Sequence, residues 1–146
     1  MTYKPVFFDL HELTCEHVFD KFGDTAWLFF DPRLLQTIDK IREAIDKPIT
    51  VNNWYTGGGL SQRGLRCNLC TLVKNATIKD ELYVSAHMEG QAADFDVKDM
   101  DADSVRHWLA GNTDKLPFPI RLETGVSWVH LDVRQVNERK INYFKS

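Results

Sequence analysis

With 146 residues, 43% apolar and 27% charged, the chain has the size and balance of one globular domain, which excludes disordered and fibrous classes. A net charge of -3 lacks the basic footprint of a nucleic-acid or anionic-membrane binder, and no apolar run nears the roughly 20 residues of a membrane helix. Three cysteines (Cys15, Cys67, Cys70) and a start with one lysine and no apolar stretch suggest cytoplasmic synthesis without a secretory signal.

No repeat, low-complexity tract or linker divides the sequence, so residues 1–146 read as one domain. Asp9 to Phe22 reads as a helix ending at Gly23. The clearest helix follows Asp31-Pro32, a capping residue before a proline at the first helical position. Its apolar residues Leu34, Leu35, Ile38, Ile41 and Ile45 recur at helical spacing, and Lys47-Pro48 stops it. Ile49 to Val51 reads as a short strand running into the Gly57-Gly58-Gly59 loop, and Leu60 to Glu81 as irregular or partly helical. A strand is expected at Ala92 to Val97, then a helix from about Asp103 to Ala110 with Val105, Trp108 and Leu109 on its core face and Gly111 as its stop. Strands at Ile120 to Glu123 and Trp128 to Arg134 follow. Helices first and strands later, without a βαβ rhythm, indicate an α+β fold.

The two strands on either side of the later helix carry the chemistry. In Ala92 to Val97, alternation sets Asp94 and Asp96 opposite Ala93, Phe95 and Val97; in Trp128 to Arg134 it sets His130, Asp132 and Arg134 opposite Val129, Leu131 and Val133. Such polar faces are commonly just solvated. The preceding Ser85-Ala86-His87-Met88-Glu89-Gly90 shifts the balance, because Gly90 can adopt positive φ and turn His87 back over Asp94. Two imidazoles and a carboxylate, His87, Asp94 and His130, suit zinc and leave a fourth position for water, as catalytic sites do. Asp96 or Asp132 is then available to orient a ligand imidazole from behind.

Ser85-Ala86-His87-Met88-Glu89-Gly90-Gln91-Ala92-Ala93-Asp94 with the later Trp128-Val129-His130-Leu131-Asp132-Val133 resembles the two-part signature of the zinc D-alanyl-D-alanine peptidases. That family comprises carboxypeptidases, dipeptidases and phage endolysins, and the likeness is greatest to its short phage and prophage members of the peptidase C-terminal domain type. It spans about Ile49 to Arg134. The resemblance implies a hedgehog-like fold, a small antiparallel sheet carrying the metal with helices packed on one side. It implies zinc on His87, Asp94 and His130, and Glu123 as general base, although Glu123 stands further from His130 than in members whose glutamate adjoins that histidine. Upstream, Arg63 or Arg66 takes the family's place for an arginine that holds the substrate carboxylate or the developing oxyanion, with Arg63 preferred. The implied activity is a metallopeptidase acting on peptidoglycan stem peptides in the cell wall, as a carboxypeptidase or an endolysin-type endopeptidase released by a phage-type route. Nucleic acid and membrane are not expected partners. Two other readings are a non-catalytic binding or virion structural module with the same fold, and hydrolysis of an unrelated small peptide or amide.

Other motifs carry less. His11-Glu12-Leu13-Thr14-Cys15 lacks the second histidine of a helical zinc motif. Cys67-Asn68-Leu69-Cys70 is a lone C-x-x-C with no second pair in view. His17 and His107 are expected on helix surfaces. Lys98 to Asp103 lacks the glycine and terminal glutamate of a calcium loop and reads as a helix cap. Trp54, Tyr55 and Trp128 are candidates for a cleft wall or for the core.

Overall fold

The computed structural model describes residues 3–134 and 137–146. Helix α3 (Pro32–Ile45) begins as its sequence dictates: the Asp31 carboxylate accepts the Arg33 backbone N–H at 2.9 Å, and the Arg33 guanidinium grips the same carboxylate at 2.7 and 3.1 Å. Its predicted apolar stripe is buried throughout. The helix ends at Asp46, which takes the left-handed conformation at φ 53°.

The expected helix over Asp9 to Phe22 is instead two, α1 (Leu10–Leu13) and α2 (Glu16–Phe22). Thr14 forms a parallel bridge with Leu65: the Leu65 N–H donates to the Leu13 carbonyl at 2.8 Å, and the Cys15 N–H to the Leu65 carbonyl at 3.2 Å. Backbone groups committed to a distant segment cannot continue a helical ladder. The second helix does end at Gly23, its C-cap, as expected, and a 3-10 stretch follows over Gly23–Phe29. The ambiguous 60–81 region contains α4 (Thr71–Ile78), and the later helix is α5 (Ala102–Gly111), capped by the Asp101 carboxylate on the Ser104 N–H and closed at Asn112 rather than at Gly111.

Five strands, β1 (Ile49–Thr50), β2 (Ala92–Val97), β3 (Ile120–Glu123), β4 (Val129–Asp132) and β5 (Ile141–Phe144), form one sheet in the order β1-β2-β4-β3-β5. The fold class is α+β, as expected. The sheet is mixed rather than wholly antiparallel, because β5, absent from the sequence reading, lies parallel to β3. Only Ile141 of β5 is buried, so the strand has no apolar alternation to betray it. The face carrying Ala93, Phe95, Val97, Leu122, Val129 and Leu131 joins α3 and α5 in one core. The opposite face carries Asp94, His130 and Asp132.

Candidate metal centre

The site is assembled by strand register and by one turn. Asp94 stands directly across from His130. Because β1 stops at Thr50, the edge of β2 beyond it is free, and the Asp94 N–H donates outward to the Arg63 carbonyl at 2.7 Å. Asp94 and His130 are therefore a non-hydrogen-bonded pair, the kind whose side chains come closest. The third residue arrives as anticipated. Gly90 adopts φ 68° and seats against the Phe29 carbonyl, where a Cβ would lie 2.1 Å from that oxygen, and the turn returns His87 to the site. His87 Nε2 is 3.3 Å from Asp94 Oδ2, and His130 Nδ1 is 2.7 Å from Asp94 Oδ1. All three side chains are buried, and their donor atoms lie within 4.8 Å of one another.

The remaining ring nitrogens decide what those donors can do. His87 Nδ1 is 2.9 Å from the Gly64 carbonyl, which only accepts, so Nδ1 carries a proton and Nε2 is the ring nitrogen turned toward Asp94. His130 Nε2 lies 2.8 Å from Asp132 Oδ2. Asp132 is wholly buried and also accepts two hydrogen bonds from the Arg121 guanidinium, at 2.7 and 2.8 Å. A carboxylate behind a ligand imidazole is the arrangement that fixes ring orientation and raises ligand basicity. Burial works against a charged His130, but its hydrogen bonds to Asp132 and Asp94 outweigh it and push its pKa up to about 9. Burial likewise opposes ionised Asp94, yet His130 and His87 hold its carboxyl far below the usual carboxylate range. The donor set fits a divalent cation, which can replace the proton now shared between His130 and Asp94.

A cleft of about 550 Å³ opens beside Asp94 and is lined by Gly59 to Arg63, Arg66, Leu72, Asp96, Ser127 and Trp128. Arg66 is the nearer of the two candidate arginines. Its Nη2 lies 3.5 Å from Asp94 Oδ2, and its other nitrogens donate to the Gln62 carbonyl and the Tyr83 hydroxyl. Arg63, preferred on sequence, sits at the rim on Asp96 at 2.9 Å. Glu123 lies on the site face of β3, and one step beyond the Leu122–Leu131 pairing puts it opposite His130. Its carboxylate, however, accepts the Ser146 hydroxyl at 2.6 Å and is not among the residues lining the cleft. Trp128 does line the cleft, whereas Trp54 and Tyr55 pack with Phe19 and His11.

Several partners escaped sequence reading. Arg121 shares the alternation of β3 with Glu123 and was findable from it. The Phe144 ring, 5.6 Å from His130, comes from the unforeseen β5. The buried Arg106 guanidinium donates to the carbonyls of Val126 at 2.9 Å, Trp128 at 3.1 Å and Glu123 at 3.4 Å, holding the loop that carries Trp128. A second group of donors, Cys15, His17, Cys67 and Cys70, also converges to within 4.8 Å.

Set against family models, curated proteins and solved structures, the chain matches none.

Proposed function

We propose that the protein is a zinc-dependent peptidase that cleaves peptidoglycan stem peptides. The observation that carries this reading is the three-donor centre itself: His87 oriented by the Gly64 carbonyl, His130 by Asp132, and Asp94 between them, at the side of an open cleft. Zinc held by His87, Asp94 and His130 supplies acidification of a water molecule to a pKa of about 7 and polarisation of a carbonyl. Arg66, beside Asp94, is positioned to stabilise the oxyanion that develops on the scissile carbonyl. Arg63, at the rim, receives a substrate carboxylate with a planar fork of donors once Asp96 yields it. Trp128 and Leu72 give the peptide an apolar wall. Glu123 accepts the proton of the attacking water and returns it to the leaving amine, which requires its carboxylate to leave Ser146.

That last requirement favours one rival, a metal-containing binding or virion module without catalysis. The two readings separate on purified protein offered a set of stem peptides, with products read by mass spectrometry. The peptidase reading expects cleavage by the wild type, a fall on the order of 10²–10⁴ in kcat for Glu123→Gln with zinc retained, and loss of both zinc and cleavage for His87→Ala. Stoichiometric zinc in a wild type that cleaves none of the peptides would establish the rival. Loss of cleavage in Asp96→Asn but not in Glu123→Gln would move the base to the cleft rim.

A further inference from the structure

We propose that Cys15, His17, Cys67 and Cys70 form a second metal site, a structural zinc centre that clamps the cleft wall to the N-terminal helices. It uses none of the residues of the first centre and stands whether or not the protein is a peptidase. The C-x-x-C that looked solitary along the chain has its missing pair about fifty residues upstream, as the C-x-H that opens α2.

Three sulfurs and one imidazole are the donor set of a closed tetrahedral zinc site, with metal–sulfur and metal–nitrogen bonds of about 2.3 and 2.0–2.1 Å. Those bonds require tetrahedral edges of about 3.8 Å between sulfurs and about 3.6 Å from sulfur to nitrogen. Here Cys67 Sγ is 4.0 Å from Cys70 Sγ and 3.5 Å from His17 Nδ1, and all four donors lie within 4.8 Å of one another. The two Cys67 separations stand within a few tenths of an ångström of those edges. A disulfide would instead need two sulfurs to close to about 2.0 Å and would leave the other two donors without a purpose.

The backbone is arranged for thiolates. The Leu69 N–H donates to Cys67 Sγ at 3.3 Å, and Cys70 stands at the N-cap position of α4, whose N-terminal amides favour negative charge. Cys15 and Cys70 are buried at 1% and 2% exposure, while His17 is exposed and Cys67 half-buried. The centre is closed toward the core and open on one side for loading.

Its position gives the clamp a purpose. The strip between the two halves of the site holds Gln62, Arg63, Gly64 and Arg66, which line the cleft or orient His87. Gln62 is also tied to α4, its side-chain oxygen accepting the Leu72 N–H at 2.8 Å. One ion bonded to Cys67 and Cys70, just beyond the strip, and to Cys15 and His17, beside it where Thr14 bridges Leu65, would fix it to α2 and α4 at once.

The test is metal content and cobalt spectroscopy on the full chain purified without chelator. Zinc per chain should fall by one in Cys67→Ser, and Cys67 is open enough to be replaced without cutting into the core. After chelation, cobalt(II) added to the wild type should give a thiolate-to-cobalt charge-transfer band in the near ultraviolet. The band should persist in His87→Ala and vanish in Cys67→Ser. Without chelator Cys67, the half-buried thiol, should resist alkylation, and it should react once the metal is stripped. Absence of the band from stripped, reduced wild-type protein would overturn the proposal. So would a Cys67→Ser zinc content equal to the wild type, or a Cys67–Cys70 disulfide in metal-free protein purified without reductant. Loss of the peptidase reading alone would leave the cobalt band in place.

Discussion

Asp132 has no contact with solvent, and its oxygens are occupied by His130 and Arg121. Burial disfavours its charge, but the hydrogen bonds from His130 and Arg121 keep its carboxyl below the ordinary range, so it stays an acceptor. Replacing it by alanine frees the His130 ring to turn. The expected result for Asp132→Ala is a 10–100-fold loss of zinc affinity, read by competition with a chromophoric chelator, with the far-ultraviolet spectrum unchanged. An unaltered affinity would mean that Asp132 serves only to hold Arg121. Asp132 and the three donors were legible because side-chain alternation and a turn glycine are written in residue types. The Gly64 carbonyl was not, since a main-chain oxygen has no letter of its own. Only the fold reveals that Gly64 must pass so close to Leu13 that a Cβ would lie 2.0 Å from the Leu13 oxygen. The cysteine cluster was not legible for a related reason: half of it comes from Cys15 and His17, about fifty residues away, and His17 as an exposed helix residue looks ordinary.

Between residues and fold, α5 acts as more than a core helix. Val105 and Leu109 pack into the sheet while Arg106, one residue along, is buried at the side and gathers three carbonyls of the 123–128 loop. Arg106→Met keeps the stem and removes the donors, leaving those carbonyls to find water. A loss of about 2 kcal/mol is expected, measured by urea denaturation, together with greater acrylamide quenching as Trp128 loosens. Unchanged quenching would separate the loop from this guanidinium. Apolar periodicity located α3, β2 and β3 well, because each buries one face along its whole length. It failed at α1 and α2, where the pairing of Thr14 with Leu65 overrides local helix preference, and at β5, whose partner across the edge is chosen by backbone groups.

On the scale of the whole molecule, the N-terminal segment is strapped to α3 through one buried carboxylate. Asp39 accepts the Tyr3 hydroxyl at 2.6 Å and the backbone N–H groups of Val6 and Phe7 at 2.8 and 2.9 Å. The hydrogen bond to Asp39 raises the Tyr3 pKa from 10.0 to about 12, since a phenolate there would face a carboxylate. A pKa raised on folding adds stability that is complete below the unfolded value and fades as pH climbs through the folded one. The difference in urea midpoint between wild type and Tyr3→Phe should therefore be largest below pH 10 and shrink toward pH 12. A constant difference across that window would show that the hydroxyl does not ionise differently in the two states. The overall class was readable because helices precede strands along the chain, whereas the mixed sheet depends on a register that no local pattern encodes. Two of the three donors in the metal centre ride on β2 and β4, strands flanked on both sides, and the third sits on the turn ahead of β2. An ion held there would meet two donors fixed by the sheet and one carried on a turn, which makes the 85–90 turn the element whose movement would admit or release it.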